Sequence, residues 1–150
     1  MQKHYTPFYF KAYELVDPEL FNILHEREIY KLFDPNVLKF ADWARERWGQ
    51  CTINDWKWTK EQMPISAQFR WSGYRTPKSP YYRQGSMHSF GQALDLKFKK
   101  ITASKIRTEL REIESIGHKI PFITRVEDDV TWLHVDTKPT EFNTLHFFKP

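Results

Sequence analysis

Apolar side chains in the first third of the chain recur at the spacing of an α-helix. Asp17 and the proline after it form a typical helix start, because the carboxylate can accept hydrogen bonds from free backbone amides and proline tolerates the first helical position. The helix that follows has one apolar side, made of Leu20, Ile23, Leu24 and Ile29. Asp34 begins a second helix in the same way, and Gly49 ends it. The apolar positions of this second helix are Val37, Leu38, Ala41, Ala44 and Trp48.

Further along the chain, apolar and polar residues alternate, which is typical of strands with one buried face. The alternation predicts strands over residues 53–58, 67–72, 93–98, 122–126 and 131–136. A third helix is predicted over residues 102–115, before Gly117. Its apolar side is made of Ile106, Leu110 and Ile113. Helices, strands, a helix and strands in this order predict an α+β fold with a mainly antiparallel sheet and helices packed on one side.

Length and composition favour a single domain. A chain of 150 residues can bury one core, and we expect a helical part over about residues 1–50 and a second part over about residues 65–138. Aromatic residues make up 17% of the chain, so they should supply much of the core and line a cleft. Cys51 is the only cysteine, which excludes an intramolecular disulfide and a Cys-rich zinc site and indicates a small buried residue. A metal would therefore need histidine and carboxylate ligands.

The net charge of +4 favours polyanionic partners, such as nucleic acid or an anionic cell wall, without specifying either. Basic residues are scattered, with only Lys97, Lys99 and Lys100 close together, so we expect no specific nucleic-acid interface. The first residues lack the apolar run of a signal peptide, and no stretch of about 18 apolar residues occurs. These features predict a monomer that is made in the cytoplasm and is not inserted in a membrane.

Two of the predicted strands carry polar residues in otherwise apolar surroundings. In the strand over residues 93–98 the leucines occupy the apolar face, so Asp95 points to the other face. In the strand over residues 131–136, Leu133 and Val135 face the core. The opposite face then carries Trp132, His134 and Asp136. If these two strands are neighbours, Asp95 and His134 share one surface.

A third polar residue can reach the same surface. His88 precedes Gly91, whose backbone freedom allows the loop to fold back and bring the imidazole to Asp95. Two histidine nitrogens and one carboxylate oxygen suit a single catalytic Zn²⁺ ion, because three protein ligands leave the fourth tetrahedral position for water. The ion would lower the pKa of that water and polarise a scissile carbonyl. We therefore predict a zinc site made of His88, Asp95 and His134.

A carboxylate near such an ion would have to take the proton of the water. The candidates are Glu127, Asp128 and Asp129, which precede the His134 strand, and Asp136, which lies on the face of His134. Asp136 could also orient His134 or cap the following turn. Arg75 could bind a substrate carbonyl or carboxylate through its fork of donors. We expect ordinary surface or hydrogen-bonded roles for the histidines that lack partner motifs, namely His4, His25, His118 and His146. We expect core positions for Trp43, Trp48, Trp56 and Trp58.

The Ser-x-His-x-x-Gly-x-Ala-x-Asp pattern of residues 86–95, with Trp-x-His-x-Asp over residues 132–136, resembles the M15 zinc peptidases. That family includes D-Ala-D-Ala carboxypeptidases and phage endolysins that cut the L-alanoyl-D-glutamate bond. Residues 72–75 are similar to the Ser-Gly-x-Arg segment of the family, so the resemblance covers about residues 65–138, and the layout is similar to that of its short phage members. It implies a fold related to the hedgehog signalling domain, one zinc ion and hydrolysis of peptidoglycan stem peptides. It also places on the substrate side Arg75, Ser86 and Trp132.

The chain differs from many M15 peptidases just before the last histidine. Thr131 stands three residues before His134, where many members have a catalytic Asp or Glu, and Trp132 stands where others have a histidine. Some branches keep a glutamate farther upstream in a Val/Ile-Glu segment, which makes Glu127 the first candidate for the general base. Asp128 and Asp129 follow, and Asp136 remains a further alternative.

Two main functional hypotheses result. The first is a zinc peptidase that hydrolyses an amide bond in peptidoglycan, as an endolysin-like endopeptidase or a D,D-carboxypeptidase, after release from the cell or as part of a virion. The second is an inactive zinc-binding module of the same fold, with a binding or structural role. A basic nucleic-acid-binding protein would fit the net charge, but no motif supports it.

Overall fold

The computed structural model describes residues 4–57 and 69–150 and has an α+β architecture. Within these residues there are four α-helices: α1 (Pro18–Ile23), α2 (Glu26–Lys31), α3 (Pro35–Trp48) and α4 (Ala103–Ser115). The strands are β1 (Cys51–Thr52), β2 (Ala93–Phe98), β3 (Arg125–Glu127), β4 (Leu133–Asp136) and β5 (His146–Phe148). Two short 3-10 helices cover Ala12–Glu14 and Met87–Phe90. No helix in the described part of the chain has the length and apolar content needed to span a bilayer.

The five strands form one open sheet in the order β1-β2-β4-β3-β5. Neighbouring strands are antiparallel except β3 and β5, which are parallel. The predicted α+β class with a mainly antiparallel sheet is therefore confirmed. In the central pair, Asp95 of β2 lies directly opposite His134 of β4.

The two long helices, α3 and α4, pack on one apolar face of this sheet. Each contributes to a single buried cluster that also contains the alternate residues of the central strands, Leu94, Leu96, Leu133 and Val135. All four of these side chains are fully buried, and each stabilises the fold by roughly 1.5–3 kcal/mol. Strand alternation consequently directs Asp95, His134 and Asp136 to the face that the long helices leave open.

The first predicted helix is wrong in two respects, because it is two helices in the structure and Ile23 of its predicted apolar side is exposed. Asp17 caps α1 as expected, accepting from the amides of Glu19 and Leu20 at 2.9 and 3.3 Å. The backbone of Leu24 is then extended, with ψ at 147°, and α2 begins two residues later. In one continuous helix, Ile29 would point about 140° away from Leu24 around the helix axis, and therefore off the predicted apolar side. The break at Leu24 removes this constraint, and Ile29 is fully buried.

The strand predicted over residues 53–58 is also misplaced. Only Cys51–Thr52 pairs as a strand. The chain beyond it is irregular, because two buried polar side chains accept hydrogen bonds from backbone amides of residues 69–72. Asn54 accepts from the amide of Ser72 at 2.9 Å, and Asp55 accepts from the amide of Phe69 at 2.7 Å. Residues 69–72 are accordingly not a strand, and Trp58, Ala67 and Gln68 of these predictions lie outside the described residues.

Strand boundaries near the site also differ from the prediction. The strand expected over residues 122–126 begins only at Arg125, since Phe122 has a left-handed backbone with φ at 74°. The strand expected over residues 131–136 begins at Leu133. The short strand β5 was not predicted at all. It matters for the site because it lies along β3, at the edge next to the metal-ligand candidates.

Candidate metal centre

His88, Asp95 and His134 meet on the open face of the sheet. The Nδ1 atom of His134 lies 2.8 Å from Oδ1 of Asp95, and Nε2 of His88 lies 3.3 Å from that same oxygen. The two facing nitrogens of His88 and His134 are 3.3 Å apart. All three residues are buried, with at most 8% of their surface exposed, and that part borders a cleft. The structure thus brings together the three residues predicted as metal ligands.

The chemistry and spacing of these atoms fit a metal ion. Bonds of 2.0–2.1 Å in a tetrahedral site separate neighbouring ligand atoms by about 3.3 Å, and both distances measured from His88 have this value. The shorter separation of 2.8 Å between His134 and Asp95 is that of a hydrogen bond, which an ion placed between them would replace. The buried His88, Asp95 and His134 group could therefore hold a metal ion.

His88 reaches the cluster because two glycines allow close backbone packing. Gly91 ends the 3-10 helix of His88 with φ at 67°, and a Cβ at this position would lie 1.8 Å from the carbonyl oxygen of Leu32. A Cβ at Gly73 would lie 2.0 Å from the carbonyl oxygen of Leu15. The carbonyl of Gly73 accepts a hydrogen bond from Nδ1 of His88 at 2.8 Å. This bond keeps the proton on Nδ1 and leaves Nε2 free to bind a metal.

His134 is supported in a similar way from the opposite side of its ring. Its Nε2 atom donates to Oδ2 of Asp136 at 3.3 Å, which leaves Nδ1 facing Asp95. Asp136 is fully buried and also accepts from the backbone amide of Lys138 at 3.1 Å. The two roles considered for Asp136, orienting His134 and capping the following turn, are therefore both present. A carboxylate bound to the outer nitrogen of a ligating histidine is a frequent feature of metal sites.

The electrostatics of the cluster follow from burial and from these contacts. Burial lowers the pKa of His88. Burial alone would raise the pKa of Asp95, but His88 and His134 hold it well below its usual range. For His134, burial would lower the pKa, but the hydrogen bonds to Asp136 and Asp95 raise it to about 9. Binding of a metal at Nδ1 of His134 would have to displace the proton that this nitrogen shares with Asp95.

Two candidate general bases lie beside His134: Asp136 contacts Nε2, behind the ring, and Glu127 lies near Nδ1, the nitrogen that faces Asp95. Glu127 is the last residue of β3, and its Oε2 atom lies 3.9 Å from Nδ1 of His134. Its side chain also lines the cleft above the cluster. If these residues held a metal ion, this carboxylate would be near enough to the ligand nitrogen to take a proton from a water molecule bound there.

The structure places the remaining acidic candidates, Asp128 and Asp129, away from the cluster. Asp128 accepts from Arg111 at 2.6 Å and lies 3.7 Å from Arg107, both on α4. The side chain of Asp129 is 66% exposed and lies 3.6 Å from the ammonium of Lys149. The positive φ of Asp129, 59°, turns the chain away from the direction of β3. The catalytic role considered for Asp128 and Asp129 is thus not supported by their positions.

A cleft of about 480 Å³ opens above the cluster, and Ser86 and Trp132 lie on its wall, as does Arg75. The side chain of Arg75 is held at two points, because Nη2 donates to Oδ2 of Asp95 at 3.0 Å and Nε donates to the carbonyl of Trp71 at 2.7 Å. Its remaining donors are available to a ligand in the cleft. The three residues expected on the substrate side therefore border the same space as the metal ligands.

Two further residues of the site were not found from the sequence. Arg125 donates to both carboxylate oxygens of Asp136, and the ring of Phe148 packs nearly perpendicular to the ring of His134, with the centroids 5.8 Å apart. Alternation along β3 was an available signal for Arg125, since it shares a strand face with Glu127. Phe148 had no comparable signal, because β5 is only three residues long.

The residues expected to have ordinary roles lie outside this cluster. His25 precedes α2, and the ring of His146 stacks on Phe142 at 4.8 Å. Cys51 is buried, which raises the pKa of its thiol to about 12 and makes it a poor nucleophile. Trp43 and Trp48 pack edge to face, with their ring centroids 5.3 Å apart.

Comparison with known proteins gave no match. No protein-family model, curated protein sequence or solved structure matches the chain. The features that bear on function are therefore local: the buried ligand group, the hydrogen bonds that orient its histidines, and the cleft above it.

Proposed function

We propose that the protein is a zinc-dependent peptidase whose metal is held by His88, Asp95 and His134. The observation that carries this proposal is the buried group of two imidazole nitrogens and one carboxylate oxygen, 2.8–3.3 Å apart, at the base of an open cleft. Imidazole ligands favour zinc over magnesium or calcium, which prefer oxygen ligands. Three protein ligands with an accessible fourth position are typical of catalytic rather than structural zinc.

The chemistry that zinc would supply here is activation of water and polarisation of the scissile carbonyl. Glu127 would accept the proton of the attacking water and return it to the amine that leaves, so that the amide becomes a carboxylate and an amine; its place 3.9 Å from His134 supports this role. Arg75 lines the cleft, and the guanidinium donors that bind neither Asp95 nor Trp71 could bind a carbonyl or carboxylate of the substrate.

The substrate we propose is a stem peptide of bacterial peptidoglycan. The resemblance of residues 65–138 to M15 zinc peptidases supports this choice, and with it a hedgehog-like fold and a site of action on the cell wall after release or from a virion. The cleft volume suits a short peptide, and its rim carries two cations, Arg83 and Lys138, for which no ion pair occurs within the described residues. Such cations complement the free carboxylates of stem peptides.

The alternative is an inactive zinc-binding module of the same fold. The observation in its favour is Thr131, which occupies the position where many M15 peptidases have their general base. Under this alternative the cleft binds a peptide without cutting it.

One experiment separates these proposals. Zinc in the purified chain is measured by elemental analysis, alongside His88→Ala and His134→Ala, and the zinc-loaded protein is incubated with purified peptidoglycan while new amino and carboxyl termini are quantified. We expect about one zinc per native chain, loss of zinc in both variants, and hydrolysis that a chelator stops but a thiol reagent does not. Bound zinc without hydrolysis would favour the inactive module. A native chain that takes up no zinc would contradict both.

A further inference from the structure

Behind His134, on the side of Nε2, lies an ion pair between the fully buried Asp136 and Arg125, whose side chain is 17% exposed. Arg125 of β3 and Asp136 of β4 are direct partners across the antiparallel ladder. The Nε atom of Arg125 donates to Oδ1 of Asp136 at 2.8 Å, and Nη2 donates to Oδ2 at 2.6 Å. The same Oδ2 atom accepts from Nε2 of His134. The arginine fork therefore fixes the plane of the carboxylate that orients the histidine.

An aromatic ring completes the enclosure. The guanidinium carbon of Arg125 lies 4.1 Å from the centroid of the Phe148 ring, and that ring packs nearly perpendicular to the ring of His134. Arg125, Asp136, His134 and Phe148 thus form a closed circuit of contacts that spans β3, β4 and β5. Burying an ion pair costs desolvation free energy that its mutual attraction often fails to recover. A role in geometry accounts for this pair better than a role in stability.

We propose that Arg125 is a positioning residue for the metal ligand His134. By holding both oxygens of Asp136, it keeps the carboxylate aimed at Nε2–H, so that Nδ1 is the nitrogen presented to the metal. This inference rests on the proposed metal site, and it adds to that site a residue that makes no contact with the ion. Without Arg125, the carboxylate of Asp136 keeps only its hydrogen bonds with the amide of Lys138 and with His134, so its plane is less firmly held and the imidazole is less firmly oriented.

A matched control for Arg125 is Arg111, which lies over Phe147, the neighbour of Phe148 in β5. Arg111 lies over the ring of Phe147, with its guanidinium carbon 3.7 Å from the centroid, and donates to Asp128 at 2.6 Å. This arrangement repeats the contacts of Arg125 with a ring and a carboxylate. Phe147, however, packs against the core on the other face of the sheet, and neither Arg111 nor Asp128 contacts His134. Arg111→Met therefore removes equivalent interactions without reaching the metal site.

The test compares zinc affinity in the native chain, Arg125→Met, Arg125→Lys and Arg111→Met, measured by competition with a chromogenic chelator. We expect Arg125→Met to weaken zinc binding by about 10- to 100-fold, the range found for outer partners of metal ligands. Arg125→Lys should fall between Arg125→Met and the native chain, because an ammonium cannot form the fork. Arg111→Met should keep the native affinity. In proton NMR of the zinc-loaded chains, the Nε2–H signal of His134 should be sharp in the native protein and Arg111→Met, and broadened by exchange in Arg125→Met.

Equal zinc affinities in Arg125→Met and Arg111→Met would overturn the inference. If Arg125→Met does not fold, Arg125→Lys gives the answer, since it keeps the charge: native affinity and a native Nε2–H signal in that variant would equally overturn the positioning role. Zinc binding without peptide hydrolysis would contradict the proposed function alone, because affinity and the NMR signal do not depend on catalysis. A native chain that binds no zinc would overturn both.

Discussion

Asp95 and His134 are direct partners in the antiparallel pairing of β2 with β4, and their facing side-chain atoms lie 2.8 Å apart. The pairing register sets this contact. A slip of one residue would turn one of the two side chains to the opposite face of the sheet. Fully buried apolar pairs on either side of the contact, Leu94 with Val135 and Leu96 with Leu133, oppose such a slip. The core on one face of the sheet therefore fixes the ligand geometry on the other.

This relationship predicts that zinc stabilises the whole fold. The ion would link β2, β4 and the loop of His88, and these come together only in the folded chain, so binding should favour the folded state. At a free zinc concentration of about 1,000 times Kd, the gain in the free energy of unfolding should be about 4 kcal/mol. Thermal unfolding with zinc and with a chelator measures it, and His134→Ala should remove the difference. An identical midpoint with and without zinc in the native chain would contradict the prediction.

The sequence predicts those features of the site and of the fold that depend on short-range patterns. Alternation in the two central strands places Asp95 and His134 on one face, and the structure pairs them directly. The α+β class follows in the same way from the order of helical and alternating segments. These features depend on the period of each element, and the period can be read without knowing which elements are in contact.

What the sequence does not reveal depends on contacts between distant segments. The pairing of β5 with β3 is parallel and three residues long, so no local sequence pattern predicts it. The position of Phe148 beside His134 therefore cannot be predicted from the sequence. The choice among the acidic residues 127–129 depends on the positive φ of Asp129 and on Arg111 of α4, which captures Asp128. Such details are decided by packing.

The close approach of Gly91 to the carbonyl of Leu32 leads to a second prediction. Gly91→Ala would bring a Cβ to within 1.8 Å of that oxygen, in addition to the strain of a positive φ. Gly117→Ala is the control, since Gly117 also has a positive φ, 88°, but has open space around the Cβ position. We expect Gly117→Ala to lower the free energy of unfolding by about 1–2 kcal/mol, the cost of the left-handed backbone. Gly91→Ala should cost clearly more.

Urea unfolding measures both glycine variants, and chelator competition measures their zinc affinity. Gly91→Ala should also weaken zinc binding, because relief of the overlap shifts the 3-10 helix that carries His88. Gly117→Ala should bind zinc normally. If the two variants lose equal stability and both keep native affinity, the contact between Gly91 and Leu32 does not position His88.

The position of Glu127 leads to a third prediction. Glu127→Gln keeps the size of the side chain but removes its ability to accept a proton, so peptide hydrolysis should fall by about 100- to 10,000-fold. Zinc content should be unchanged, because Glu127 is not one of the three ligands. Asp129→Asn, two residues away and exposed, should retain native activity. Initial rates on a synthetic stem peptide check both variants, and a fully active Glu127→Gln would remove Glu127 as the general base.

The last prediction concerns Arg75, whose guanidinium binds Asp95 and still has donors that face the cleft. Arg75→Lys keeps the charge but loses the fork, and a charge-assisted hydrogen bond contributes about 1.5–3 kcal/mol, so kcat/KM should fall by about 10- to 100-fold. Arg83→Lys, on the rim of the same cleft, should change kcat/KM by less than about two-fold, since a point charge suffices there. Zinc affinity should fall less than kcat/KM in Arg75→Lys. If the two fall in parallel, Arg75 acts only through Asp95 and does not bind the substrate.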